Sequence, residues 1–334
     1  MSHRSLVLLG AAAAMVAAPA HVMAQAPSRA TAAKAWTAPR TADGQPDLQG
    51  VWSNASLTPF ERSKEFAGKE FFTEEEAAKF TKTVLDQSNR DRRGASPDED
   101  VAGAYNEAWF DRGTKVASTL RTSIVVDPAD GKVPPLTPEA REAGAARAAS
   151  QRRPPEKPED FALPVRCIIW PTAGPPMVPG PYNNNYQIVQ TRDYVAIDSE
   201  MIHDVRIIPL DGRPHLSSAA RQWMGDSIGH WEGDTLVVDT TNFTDKTHFR
   251  GSDRNLHVVE RFTRTSPDTI RYRFTIDDPT AFTKPWTGEI AMSQGSGPVY
   301  EYACHEGNYS MASMLAGARA EEKAAAGAAG KRSK

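Results

Sequence analysis

Residues 269–277 constrain the fold most tightly. Ile270, Tyr272, Phe274 and Ile276 alternate with Arg271, Arg273, Thr275 and Asp277. A period of two puts these sets on opposite faces of a strand, one buried and one wet. The surrounding stretch, 186–306, repeats the pattern in shorter runs. Candidate strands cover 186–191, 194–198, 205–210, 235–240, 257–264, 269–276, 286–292 and 299–304. Turn residues separate most of them: Asp211-Gly212, Gly233-Asp234, Gly251-Ser252, Pro267-Asp268, Asp277-Asp278-Pro279 and Gly295-Ser296-Gly297. About eight consecutive short strands predict a mainly β protein, an antiparallel β-barrel or sandwich over 182–318.

The N-terminus speaks to compartment. His3 and Arg4 precede an apolar run over 6–18, too short to span a bilayer as a helix, and Val22-Met23-Ala24 offers small residues at a cleavage point. This reads as a Sec-type signal peptide over 1–24, giving a periplasmic or secreted protein; the segment has no Arg-Arg pair and no nearby cysteine. The net charge of −3 carries no nucleic-acid or anionic-membrane footprint, and no later segment is apolar enough for a membrane span. The only cysteines are Cys167 and Cys304. In an oxidising compartment they form either a disulfide or two separate buried thiols. A disulfide closing so long a loop stabilises by about 5 kcal/mol at most.

Residues 25–40 form a flexible lead-in, and 41–181 an irregular, partly helical N-terminal region packed on the barrel. Its clearest element is a helix over 73–87, opened by the capping box Thr73-Glu74-Glu75-Glu76 with Ala77, Phe80 and Val84 at helical spacing. A short strand over 123–127 and a helix from Thr137-Pro138 to about residue 150 follow. Residues 90–100 read as a mixed-charge loop, and 167–181, with five prolines, as an ordered loop. An Ala/Glu/Lys helix from residue 311 frays into a disordered tail over 319–334.

Six of the eight histidines lie in the strand region: His203, His215, His230, His248, His257 and His305. None has the two-apart or four-apart spacing of a metal site, so no metal and no cofactor is called for. Gly225-Asp226-Ser227-Ile228-Gly229 fits the G-x-S-x-G pattern of serine hydrolases but lacks the strand-to-helix context that exposes such a serine; it reads as a tight turn. Glu200-Met-Ile-His203-Asp204-Val-Arg206 is the densest acid–base cluster and sits at a turn between strands. His203 is the expected base, with Asp204 or Glu200 orienting it and His305 as a second acid. A turn pair satisfying backbone groups is the competing reading. Substrate contacts are expected from Asn183, Asn184, Asn185, Tyr186, Arg206, Trp223, His230 and His257: amides and a guanidinium for substrate oxygens, flat rings beside them. The asparagine run is also an ordinary turn former, and His257 either lines a polar lumen or faces water.

Three phrases carry a resemblance: Asp43-Gly-Gln-Pro-Asp-Leu-Gln-Gly-Val-Trp52, Arg206-Ile-Ile-Pro-Leu-Asp-Gly-Arg-Pro-His215 and Gly229-His-Trp-Glu-Gly-Asp-Thr-Leu-Val-Val-Asp-Thr-Thr-Asn-Phe243. They resemble a widespread group of secreted bacterial proteins of unknown function. This implies a secreted location and no reaction. Gly50-Val51-Trp52 is similar to the Gly-x-Trp that opens the first strand of lipocalin-like barrels, which implies Arg319 as the basic partner of Trp52.

These observations lead to a metal-independent lyase, isomerase or hydrolase acting on a small polyhydroxylated or aromatic molecule at a barrel mouth. The alternative is a non-catalytic small-molecule-binding protein with the same pocket.

Overall fold

A computed structural model describes residues 36–103, 106–295 and 297–332. The expected signal peptide lies outside them. Ten antiparallel strands form one sheet: β1 (Gly50–Ser53), β2 (Val125–Asp127), β3 (Asn185–Gln190), β4 (Tyr194–Ser199), β5 (Val205–Pro209), β6 (Asp226–Glu232), β7 (Thr235–Thr241), β8 (His257–Ser266), β9 (Thr269–Asp277) and β10 (Trp286–Gln294). Their order is β5-β4-β3-β1-β10-β9-β8-β7-β6, with β2 added beside β10. The sheet curls into a nearly closed barrel. Its two end strands, β5 and β6, lie side by side with no ladder between them. Side chains close part of this seam: a methyl group on Gly229 would come within 2.9 Å of Ile208 Cγ2 and Leu210 Cδ2. Pro209, with no N–H to give a ladder, suits an edge strand.

The alternation in 269–277 has the expected consequence. Ile270, Tyr272, Phe274 and Ile276 are buried, and β9 pairs along its length with β8 and β10. They share the barrel interior with Trp52, Phe262 and Trp286. The helix α1 (Glu74–Ser88) carries the complete Thr73 capping box, and α3 (Pro138–Gln151) starts from Thr137. Phe72, Ala77, Leu57 and Val116 form a second, smaller core with Phe80 and Val84 of α1.

Several expectations change. The N-terminal region does more than pack on the barrel: β1 lies between β3 and β10, with Trp52 opposite both Tyr186 and Gln294. Residues 225–229 are not simply a turn, because Asp226–Glu232 is strand β6, and Ser227 is buried at 2.9 Å from Thr240 Oγ1. Residues 299–304 form no strand. Acidic residues following Ser96 start a short helix, α2 (Pro97–Gly103), in the expected loop. Helix α4 (Ser310–Arg332) runs through the expected tail, as its alanine content favours. Trp52 donates to Leu48 O at 2.8 Å and lies beneath Arg264, 5.2 Å from its ring; Arg319 instead pairs with Glu322.

Cys167 and Cys304 are joined in a disulfide. It ties the segment after β10 to the loop before β3, beside a small cluster of Ala173, Met201 and Ile202 against Trp170, Tyr182 and Tyr302. No described helix is long and apolar enough to cross a membrane.

One buried polar group crosses the interior. Arg206 of β5 donates to Glu260 of β8 at 2.7 and 3.2 Å, with both side chains shielded from water. Tyr272 donates its hydroxyl to Glu260 at 2.7 Å and accepts from Met177 N at 2.9 Å. Burial, reinforced by Glu260, raises the Tyr272 phenol far above its ordinary value, so it remains a neutral donor. Glu260→Gln strands a buried guanidinium and is expected to cost about 3–5 kcal/mol, whereas Arg206→Met with Glu260→Met recovers most of that loss. Urea unfolding of the single and double variants checks this; a double variant no more stable than the single one contradicts it.

Candidate functional site

Where the seam is not closed by side chains, it opens into a cleft of about 500 Å³. The start of β5 supplies one wall, with Asp204, Val205 and Ile207. Residues 221–227, leading into β6, supply the other, with Arg221, Trp223, Met224 and Asp226. Backbone pairing fixes the second wall: Gln222 N donates to Asn242 O at 2.9 Å, Thr244 N donates to Gln222 O at 3.1 Å, and Thr247 Oγ1 donates to Trp223 O at 2.8 Å. Gly225 makes the bend possible. Its φ is +71°, and a Cβ there would lie 2.5 Å from Thr241 O.

The first wall follows a tight 3₁₀ turn, Met201–His203, in which Ile202 and His203 have φ of +62° and +46°. A β-branched residue seldom adopts this conformation. The buried packing of Ile202 against Ala173, Met201 and Tyr302 holds it there. Asp204 comes next. Its carbonyl accepts from Ser199 N at 2.9 Å, extending the β4–β5 ladder by one residue. Its carboxyl is half-buried, and Oδ2 is shielded from water with no hydrogen-bond partner. Burial pushes this carboxyl up to about 6; Asp198 adds to the rise, and His203 opposes it. Burial also raises Asp198.

The second wall leads to a chain of histidines and aspartates on the outer face of the sheet. Asp226 Oδ2 lies 2.9 Å from His215 Nδ1 and accepts from Leu216 N at 2.8 Å. His215 Nε2 lies 2.9 Å from Asp239 Oδ1, and Asp239 Oδ2 lies 2.9 Å from His257 Nε2. The His257 hydrogen bond lowers Asp239, and the same bond raises His257 above its ordinary value. The chain thus runs from the cleft across β6, β7 and β8. Among the described residues, no group of three or more His, Cys, Asp or Glu is arranged to hold a metal ion.

The residues singled out in the sequence fall in several places. Asp204 and Trp223 line the cleft, whereas His203 is exposed beside it with Nδ1 2.9 Å from Tyr302 O. Glu200 is buried and accepts from Asn185 Nδ2 at 2.7 Å. His305 is exposed in the turn after the disulfide. Arg206 reaches the cleft as a lining residue, but its guanidinium is turned inward to Glu260, so it is not free for substrate oxygens. Tyr186 is buried against Thr172 O and Asn54 and does not line the cleft. The asparagines follow their turn-forming chemistry: Asn183 has φ of +53°, and Asn184 bonds Gly180 through N and O and also reaches Asp111 O. His230 is exposed next to Glu232, and His257 lies on the outer face rather than in a lumen.

Asp226, His215, Asp239 and Arg221 are not among the site residues expected from the sequence. Asp226 belongs to a strand that reads as a turn. The pairing of Asp239 with Val259 puts His257 diagonally across from it, a relation visible only once the strands are registered. No family model, curated protein or solved structure matches this chain.

The raised carboxyl has a sign that can be measured. Below the ordinary value of 3.8, Asp204 is protonated in folded and unfolded chains alike; between there and about 6, only the folded chain keeps the proton. Its contribution to stability is therefore full below pH 3.8 and is lost as pH rises through about 6. The stability difference between the wild type and Asp204→Asn, followed by urea melts, is expected to shift against the wild type across that window. A difference that stays flat contradicts the desolvated carboxyl.

Proposed function

We propose that this protein is an exported acid–base enzyme that acts on a small polyhydroxylated or aromatic molecule held in the seam cleft. The observation that carries the reading is the Asp204 carboxyl, raised by burial to about 6 in a residue that lines the cleft. A group titrating there can both take and return a proton near neutral pH, as general acid–base catalysis needs. It holds the role foreseen for His203, whose Nδ1 is engaged with a backbone carbonyl.

The other wall complements it. Trp223 offers a flat apolar surface and Gln222 an amide for hydroxyl groups. Asp226, backed by His215, places a second carboxylate on the opposite side of the cleft. The disulfide is consistent with an oxidising compartment.

The test begins with thermal-shift screening of hydroxylated and aromatic compounds, keeping those whose effect is lost in Trp223→Ala. On a compound that turns over, Asp204→Asn is expected to lower kcat by about 10²–10⁴-fold while affinity changes little. Binding with no turnover in the wild type identifies a non-catalytic binding protein. Unchanged kcat in Asp204→Asn rules out Asp204 as the proton carrier.

A further inference from the structure

Beyond Trp223, away from the seam, lies a second cavity of about 330 Å³ lined by Arg221, Trp223, Thr244, Asp245, Lys246 and Arg254. It shares Arg221 and Trp223 with the seam cleft, so the two spaces meet at one indole and one guanidinium. The chain as a whole is acidic, with a net charge of −3, yet three cations and a single carboxylate line this space.

Several arginines elsewhere are neutralised. Arg121, Arg206, Arg213, Arg261 and Arg319 each have a carboxylate partner. Among the described residues, Arg221, Lys246 and Arg254 have none within ion-pair distance. Arg221 is nevertheless fixed. Its Nη1 donates to Arg254 O at 2.6 Å and to Phe243 O at 3.4 Å, and its Nε is shielded from water without an acceptor. A guanidinium held by carbonyls keeps its full charge and loses little freedom when it meets an anion.

We infer that the Arg221–Lys246–Arg254 cavity is an oxyanion subsite of the seam cleft, so that the ligand carries a carboxylate, sulfate or phosphate on a ring that lies against Trp223. This narrows the substrate to an acidic molecule, such as a sugar acid or an aromatic acid. Guanidinium and ammonium groups bind such oxyanions through charge-assisted hydrogen bonds. Trp223 lines both cavities, with Asp204 beside it in the first and the cations beside it in the second. The inference rests on the reading of the seam cleft as a ligand site, and its test separates the two.

The probes are benzoate and benzyl alcohol, which share a ring and differ in charge, read at pH 7.5 through the Trp223 indole resonance with Trp223→Phe to assign it. Benzoate is expected to bind about tenfold more tightly than benzyl alcohol and to weaken as salt rises. Lys246→Gln and Arg254→Gln, both exposed positions, are each expected to reduce benzoate affinity by about fivefold and to leave benzyl alcohol unchanged. Inorganic sulfate and inorganic phosphate, each against chloride at matched ionic strength, are expected to displace benzoate; the one that displaces it at lower concentration ranks the oxyanion chemistry. Equal binding of the two probes, affinities unmoved by both substitutions, or failure of both anions to compete overturns the inference. Asp204→Asn should preserve the preference for benzoate. If charge preference is absent while Asp204→Asn still abolishes turnover, the oxyanion subsite falls alone. If charge preference holds while Asp204→Asn leaves turnover intact, the acid–base reading falls alone.

Discussion

The Arg206–Glu260 pair is the contact on which the placement of the seam depends. Strand β5 ends the sheet and has ladder bonds only to β4. Its other edge faces β6 without pairing. What ties it to the opposite wall is a guanidinium reaching through the interior to a carboxylate on β8, with Tyr272 completing the carboxylate's hydrogen bonds. Such a pair does not make a core more stable than a hydrophobic one of the same shape, because both charges lose their water. It does specify geometry. Arg206 inward fixes the phase of β5, so Ile208 also faces the core while Val205 and Ile207 remain outside.

From that phase the cleft follows. Ile208 and Leu210 fill the seam opposite Gly229, the one residue of β6 small enough to admit them. Nearer the start of β5 there is no such filling, and the space is lined by Asp204 and the residue 221–227 segment. The strained turn at Ile202 and His203 sets where Asp204 emerges, and burial at that position raises its carboxyl. Strain and an unpartnered polar atom both cost free energy, and both are found in one place beside an open cleft.

Much of the fold was legible because it rests on local pattern. The period of two in 269–277, the Thr73 capping box and the Thr137-Pro138 helix start all act over a few residues, and each appears in the structure. Asp226–Glu232 was illegible as a strand because Gly225 before it, Gly229 within it and an Asp-Ser pair mark turns, and only the partnership with β7 overrides them. The site was partly legible: Asp204 and Trp223 were singled out, from an acid–base cluster and from aromatic character. The inward turn of Arg206 and the His215–Asp226–Asp239–His257 chain depend on which strands meet, which no short-range pattern encodes. The partner of Trp52 shows the same limit, since Arg264 is far closer in space than its position in the chain suggests.

The central claim is that a desolvated, proton-holding carboxyl stands at the open part of the seam. Carbon-13 NMR titration of the aspartate carboxyls, with Asp204→Asn to assign the resonance, tests it most directly. The expected midpoint for Asp204 is near 6. A midpoint at the ordinary aspartate value of 3.8 would contradict it.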